Sequence, residues 1–298
     1  YKLRKPLERR PLWYPESLDY DLYCGPSPMT PLERNRLHYD WHWQWRTGNG
    51  DLVNMGIHAI DKIRRFIGDD AMPSRVMSMG GRYVVKDVTD LPNTQLTVMD
   101  FAGVPVFYEN RNLPTRPGSR STDRFRGQRI GIIVQCEHGY YGGLEGGSIY
   151  DNDGNRILRK AVDVDTVTAH LVNFFDSVRS QRESDLNAPP EIGHYSAMFG
   201  HFGNLSYRVG QRASAQHVDE FLGSVPEAGN AVGRMRDHLK LHEVDLAANP
   251  MVLGPWLELD CANDAISGIA GGAEADLERA RSLIHEVDRP GFVTPTLS

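Results

Sequence analysis

The chain has 298 residues, a formal net charge of −6 and a pI near 6.0, with 40% hydrophobic and 24% charged residues. An acidic balance without a clustered basic surface excludes a phosphate footprint, and so a nucleic-acid partner. No apolar run approaches the roughly 18–20 residues that span a bilayer, and Cys24, Cys136 and Cys261 lie too far apart for a disulfide framework or a CxxC zinc site.

Residues 1–49 read as loop and extended chain, because Pro6, Pro11, Pro15, Pro26, Pro28 and Pro31 forbid long helices. Within them Trp41, Trp43 and Trp45 alternate with His42 and Gln44. An extended backbone would turn the three indoles one way, either into a core or into an aromatic platform for a sugar ring. The first helix spans Asp51 to Ile67. Asp51 suits its positive end, Arg64 and Arg65 its negative end, and Gly68 the position just past it. On a helical wheel Leu52, Met55, Ala59, Ile60, Ile63 and Phe66 share one side. Asn54, His58, Asp61 and Arg65 fall within roughly 60° of one another on the other side. Such a row is either a solvated face closed by pairs such as Asp61 with Arg65, or the wall of a pocket.

A strand block follows: Arg75 to Val84, then Thr94 to Phe101 and Val104 to Asn110 around the Ala102–Gly103 turn, then Gln128 to Glu137. Thr115 to Gly127 is polar and basic and reads as a mobile surface loop. Gly142-Gly143-Leu144-Glu145-Gly146-Gly147 lacks GxGxxG spacing and reads as a flexible connection between strands. Asp151-Asn152-Asp153-Gly154 is a hairpin turn rather than a calcium loop, since position 162 is Val where a closing Glu is needed.

Helices return after Val164. Asp165 caps one that would bury Leu171, Phe174, Phe175 and Val178, and Pro190 opens another running to Val209. His194 and His201 share a face of that helix with Asn204 and Arg208. They are either core histidines or pocket residues. His238 and His242 sit one turn apart, but Leu239 stands where a zincin has Glu, so a solvated face is expected and no metal site is assigned. From Ala215 onward the chain reads as helical, through the glycine-rich Gly268–Gly272 to a last helix near Glu274–Val287. Helix, strand block, then helices gives an α+β fold: an open, mainly antiparallel sheet covered by helices on one face, residues 1–210, with a helical C-terminal extension, residues 211–298.

The segment Gly50 to Asp61 with Ile63-Arg64-Arg65-Phe66-Ile67-Gly68 resembles the start of the C-terminal domain in the Gfo/Idh/MocA family of sugar oxidoreductases, in a bacterial subgroup with long C-terminal extensions. Further stretches carry the same resemblance in the same order: Leu18 to Pro28, His38 to Trp45, Tyr150 to Gly154, Asp185 to His194 and His201 to Arg208. The family's preceding Rossmann domain holds a glycine-rich turn and a Glu-Lys-Pro motif. Neither is here, since Lys5-Pro6 follows Arg4 and comes too late in the family order. Many members carry Asp where this chain has Asn54, and Asn cannot titrate.

The resemblance implies the substrate-binding and oligomerisation half of a nicotinamide-dependent oxidoreductase acting on a sugar, polyol or glycoside. His58, Asn54 and Asp61 would meet the reacting hydroxyls, and Trp41, Trp43, His194 and His201 would line the substrate site. NAD or NADP would be held by a Rossmann domain in the two-domain enzyme or on a partner chain, not tightly by this chain alone. A homo-oligomer would form through the sheet, with Val98, Val106, Ile132 and Val134 among the candidates. A soluble protein is expected, in the cytoplasm, or in the periplasm if an export leader precedes this segment. Two other classes stay open: a stand-alone binding or assembly module, and a non-redox glycoside-active enzyme using His58 and carboxylates.

Overall fold

The computed structural model describes residues 14–29, 36–68, 71–160, 164–284 and 288–293. Lys5–Pro6 and residues 285–287 of the expected last helix lie outside them.

The expected α+β architecture is present. A seven-stranded antiparallel sheet is built on β1 (Arg75–Gly81), β2 (Thr94–Phe101) and β3 (Val104–Arg111). A separate four-stranded antiparallel sheet is made of β4 (Ile132–Cys136), β5 (Gly139–Leu144), β6 (Gly146–Tyr150) and β7 (Arg156–Lys160). The helices are α1 (Tyr20–Cys24), α2 (Gly50–Asn54), α3 (Gly56–Ile67), α4 (Thr166–Ser180), α5 (Pro190–Val209), α6 (Ala215–Ser224), α7 (Gly229–Leu241) and α8 (Glu274–Ser282).

The strand alternation of β1 and β2 sorts the core into two layers. Val76 and Met99 pair across the strands on one face, with Phe101, and pack with Ile60 of α3, Phe199, Phe202 and Leu205 of α5, and Leu277 of α8. Met77 with Val98, and Met79 with Leu96, point the other way, onto Val218 of α6 and Val232, Met235 and Leu239 of α7. The helical extension therefore covers the second face of the same sheet. Burial of this kind contributes roughly 1.5–3 kcal/mol for each large aliphatic side chain. Of the residues that were candidates for either face of the sheet, Val98 is 1% exposed beneath α7, and Ile132 is buried too.

Residues beyond 210 also supply strands: β8 (Gln211–Arg212), β9 (Val252–Leu253), β10 (Trp256–Asp260) and β11 (Ala265–Ala270). The sheet order is β11-β10-β1-β2-β3, with β9 pairing β1 and β8. The helical reading of this region missed them. β9 and β10 are one strand line broken at Gly254–Pro255, where Pro255 cannot donate to the ladder. The Ser206 hydroxyl of α5 fills the break, accepting from Ser78 N–H at 3.0 Å and donating to the Pro255 carbonyl at 2.7 Å.

Three further expectations change. The first helix divides at Met55, and Tyr108, whose ring lies against Gly56, donates to the Asp51 carbonyl at 3.0 Å. Residues 115–127 are tied down rather than loose. Arg111 pairs with Asp123 at 2.9 Å, Phe125 lies under Arg234, and His238 and His242 both donate to the Pro114 carbonyl at 2.7 Å. The two histidines are thus occupied by a carbonyl rather than facing solvent together. Finally, α4 buries none of its residues, Leu171, Phe174, Phe175 and Val178 included. No helix among the described residues is long and apolar enough to cross a membrane.

Candidate functional site

The site is organised by the antiparallel packing of α5 against α2 and α3. Asn204 Nδ2 donates to the Asn49 carbonyl at 2.8 Å, Gly203 fits against Leu52, and Gly200 against Val53. At the far end Ser196 Oγ donates to Asp61 Oδ1 at 3.0 Å and accepts from Arg64 Nη1 at 3.2 Å. Gly203 is required for this approach, because a Cβ there would lie 2.8 Å from Thr97 Cγ2 and 2.9 Å from Leu52 Cδ2.

The wheel of α3 is rotated from the expected one. Gly56, Ile60 and Arg64 are buried, and Phe66 is 53% exposed, resting on Tyr141 at 5.3 Å between ring centroids. Arg64 at 3% exposure is a guanidinium in the interior. It reaches the Asp61 carboxylate through Ser196 and stacks against the Phe199 ring at 5.6 Å. Burying a guanidinium is costly unless such partners compensate its lost hydration. Asp61 is therefore engaged toward α5, and on its open side lies 3.8 Å from Arg65.

Asn54 and His58 sit one turn apart, Asn54 half-buried and His58 exposed. His201 follows Gly200, the α5 residue that packs on Val53. His201 is accessible to solvent, yet enough protein surrounds it to hold its imidazole pKa below the ordinary value, first through burial and then through the charge of His194. His194 lies nearer the start of α5, and its Nε2 is 3.0 Å from both carboxylate oxygens of Asp264.

The tryptophans are not extended. Asp40–Trp43 form a 3-10 turn packed beside α2, because the fully buried Asp40 carboxylate draws in the Arg36 backbone N–H at 2.9 Å and the guanidinium at 2.7 Å. The turn separates the indoles. Trp43 is 5% exposed, while Trp41 is 37% exposed and stacks on His42 at 3.7 Å. Trp45 faces Tyr207 and Arg208, and burial pushes the Tyr207 phenol up to about 12. The structure thus leaves Asn54 half-buried on α2 and His58 exposed on α3, ties Asp61 to Ser196 of α5, and leaves His201 and Trp41 exposed. It takes Trp43 inward and commits His194 to Asp264. Ser196 and Arg64 were missed from the sequence. Only its place one turn from Ile60 and Ile67 on an amphipathic helix could have signalled Arg64 as a buried cation.

A cleft of about 600 Å³ lies elsewhere, between the β5–β6 hairpin and the start of α4, and none of the candidate residues lines it. The Gly142–Gly147 run forms that hairpin, its backbone groups spent on strand pairing. It offers no phosphate cradle of the kind that opens a helix in a dinucleotide-binding unit. Among the described residues no group of three or more His, Cys, Asp or Glu side chains could hold a metal ion.

Residues 4–100 match the family model described as "Oxidoreductase family, C-terminal alpha/beta domain". Over this segment, about a third of its length, the chain is similar to the C-terminal domain of the Gfo/Idh/MocA oxidoreductases. Solved structures similar to it include a "putative oxidoreductase" from Klebsiella pneumoniae, with 15% identity over 52% of this chain and 46% of that one, TM-score 0.36. Another "putative oxidoreductase", from Bacteroides fragilis, shows 12% identity over 54% of this chain and 52% of that one, TM-score 0.37. The WlbA dehydrogenase from Bordetella pertussis, solved with NADH and UDP-GlcNAcA, shows 11% identity over 54% and 43%, TM-score 0.33. The chain thus spans about half the length of each of these structures. No curated protein matches it. The matched segment includes the whole of α2 and α3, which carry Asn54, His58 and Asp61.

Proposed function

We propose that this chain is the substrate-binding half of a nicotinamide-dependent oxidoreductase acting on a sugar or polyol. The observation that carries the reading is the match of residues 4–100 to an oxidoreductase-family C-terminal domain, which contains Asn54, His58 and Asp61. The nicotinamide itself belongs to another domain or chain, because the residues described here do not fit it.

The chemistry these side chains can perform is recognition of hydroxyls and movement of a proton. His58 is the acid–base group: it is accessible, and an imidazole exchanges protons near neutral pH. Asn54 offers an amide that donates to one hydroxyl oxygen and accepts from another. His201, whose imidazole pKa burial lowers, can accept through one ring nitrogen and donate through the other in its neutral form. Asp61 keeps α3 in place through Ser196 and Arg64 and presents its second oxygen beside Arg65. Trp41 offers an aromatic face to the C–H side of a sugar ring, Trp43 fixes the turn from inside, and His194 with Asp264 anchors the start of α5.

Calorimetric titration of the chain with a panel of hexoses, uronic acids and polyols tests this. Saturable binding of one class, weakened at least tenfold by Asn54→Ala and by His201→Ala with an unchanged circular dichroism spectrum, is expected. Absence of saturable binding across the panel, or binding indifferent to both substitutions, overturns it.

A further inference from the structure

A second site is built on one face of the small sheet. The register sets Gly142 of β5, Ser148 of β6 and Arg159 of β7 in one row across three strands. Directly opposite residues share a face, with their side chains about 5 Å apart. Ile149 and Leu158, one step along, point to the other face. Gly142 adds no side chain to the row. A Cβ there would lie 3.2 Å from Ile133 Cδ1 and 3.4 Å from Gln128 Nε2, so bare backbone forms a floor under the Gln128 amide. This row is the floor of the cleft of about 600 Å³, and Val164 and Thr166 at the start of α4 form its wall.

The fold does not use the polar groups on this floor. Ser148 is 9% exposed, yet its hydroxyl has no partner among the described residues, and the same holds for the Gln128 amide and the Arg159 guanidinium. Elsewhere in the small sheet such groups are satisfied: the Tyr141 hydroxyl donates to the Gly146 carbonyl at 2.9 Å and Gln135 Nε2 to the Gly139 carbonyl at 3.0 Å. A hydroxyl withdrawn from bulk water is expected to have a partner, and here it opens into the cleft. The end of α4 supplies none, because the Asp165 carboxylate accepts from the Val167 and Thr168 N–H groups at 3.1 Å.

The groups present name the ligand. Among the described residues that line the cleft, Arg159 is the only cation and Glu145 the only carboxylate. A guanidinium fork fits a planar carboxylate through two parallel hydrogen bonds. One positive charge with one negative charge nearby suits a monoanion and not a phosphate dianion. The Gln128 amide and the Ser148 and Thr166 hydroxyls each donate and accept, as bound hydroxyl groups require. Tyr150, stacked on Tyr140 at 4.9 Å between centroids, adds an aromatic edge for the carbon chain.

We propose that the cleft between the β5–β6 hairpin and α4 binds a hydroxylated monocarboxylate, its carboxylate on Arg159 and its hydroxyls on Gln128, Ser148 and Thr166. The inference stands apart from the substrate reading, since Asn54, His58, Asp61 and His201 do not line this cleft.

The test is calorimetric titration of the full chain with D-gluconate and D-glucuronate, beside their neutral counterparts sorbitol and glucose and inorganic phosphate. Arg159 is exposed and Ser148→Ala removes a single oxygen, so Arg159→Gln and Ser148→Ala both fold, as far-UV circular dichroism will verify. Saturable binding of at least one acid is expected, weakened at least tenfold by Arg159→Gln and by Ser148→Ala and unchanged by His201→Ala. Arg159→Gln should leave the isotherms of sorbitol and glucose as they are. Absence of saturable acid binding, or binding indifferent to Arg159→Gln and Ser148→Ala, overturns the proposal. Acid binding that His201→Ala weakens and Arg159→Gln does not also overturns it, while leaving the substrate reading intact. Phosphate bound as tightly as the acids and lost in Arg159→Gln overturns the carboxylate assignment.

Discussion

Ser196 Oγ donates to Asp61 Oδ1 at 3.0 Å and so fastens the helix carrying the candidate acid–base residue to the long helix behind it. Arg64, buried on the other side of the same hydroxyl, makes that contact costly to lose. The candidate row therefore contains residues of two kinds, and stability measurements separate them. Asp61→Ala should lower the stability of the chain by about 1–3 kcal/mol, because it strips a buried guanidinium network of its carboxylate. His58→Ala should change it by less than about 0.5 kcal/mol, because the side chain is exposed. Urea midpoints for the two variants check this, and equal midpoints would remove the distinction.

The pH dependence follows from His201 and His238, both held below the ordinary histidine pKa by burial as the leading cause. The unfolded chain then binds more protons than the native one between the depressed folded values and the ordinary histidine value of 6.5. Their contribution is accordingly complete above 6.5 and is lost as pH falls through that value toward the folded ones. The urea midpoint should decline over this window. The slope should shrink in His201→Gln and shrink further when His238→Gln is added. A midpoint that rises on acidification through the same window would contradict the sign.

Trp43 and Trp41 divide in the same manner. Trp43→Ala should cost about 3–5 kcal/mol, the range for a buried large side chain reduced to Ala. Trp41→Ala should cost under about 1 kcal/mol and weaken sugar binding instead. Thermal unfolding of both variants, with a sugar titration of Trp41→Ala, reads the two effects. A Trp41→Ala chain that binds as tightly as the parent would take the aromatic face out of the site.

The periodicity of Leu52 to Ile67 and the alternation of β1 to β3 were legible because their patterns are local. The break at Met55 was not, since it accompanies Tyr108, which reaches the Asp51 carbonyl from more than fifty positions away. Neither were β10 and β11, whose residues include Gly268, a weak strand former on its own but one that leaves room for the Glu258 side chain on the neighbouring strand. Trp41 to Trp45 misled because alternation suggests an extended strand, whereas the buried Asp40 carboxylate, held by Arg36, winds the segment into a turn. The apolar stripe of α4 was read correctly as a stripe. Among the described residues nothing buries it, and amphipathic periodicity alone does not say what a stripe packs against. At the site, Asn54 and His58 were visible as a polar row, but the pairing of Asp61 with Ser196 depends on a contact between residues 135 positions apart.

The central claim is that His58 and His201 face one bound sugar or polyol. Histidine-selective NMR of the chain during titration with the class found by calorimetry tests it most directly. The account predicts saturable shifts of the His58 and His201 ring resonances along one binding curve. His238 and His242, engaged at the Pro114 carbonyl, should stay in place. Shifts confined to other histidines, or none at saturating ligand, would contradict the account.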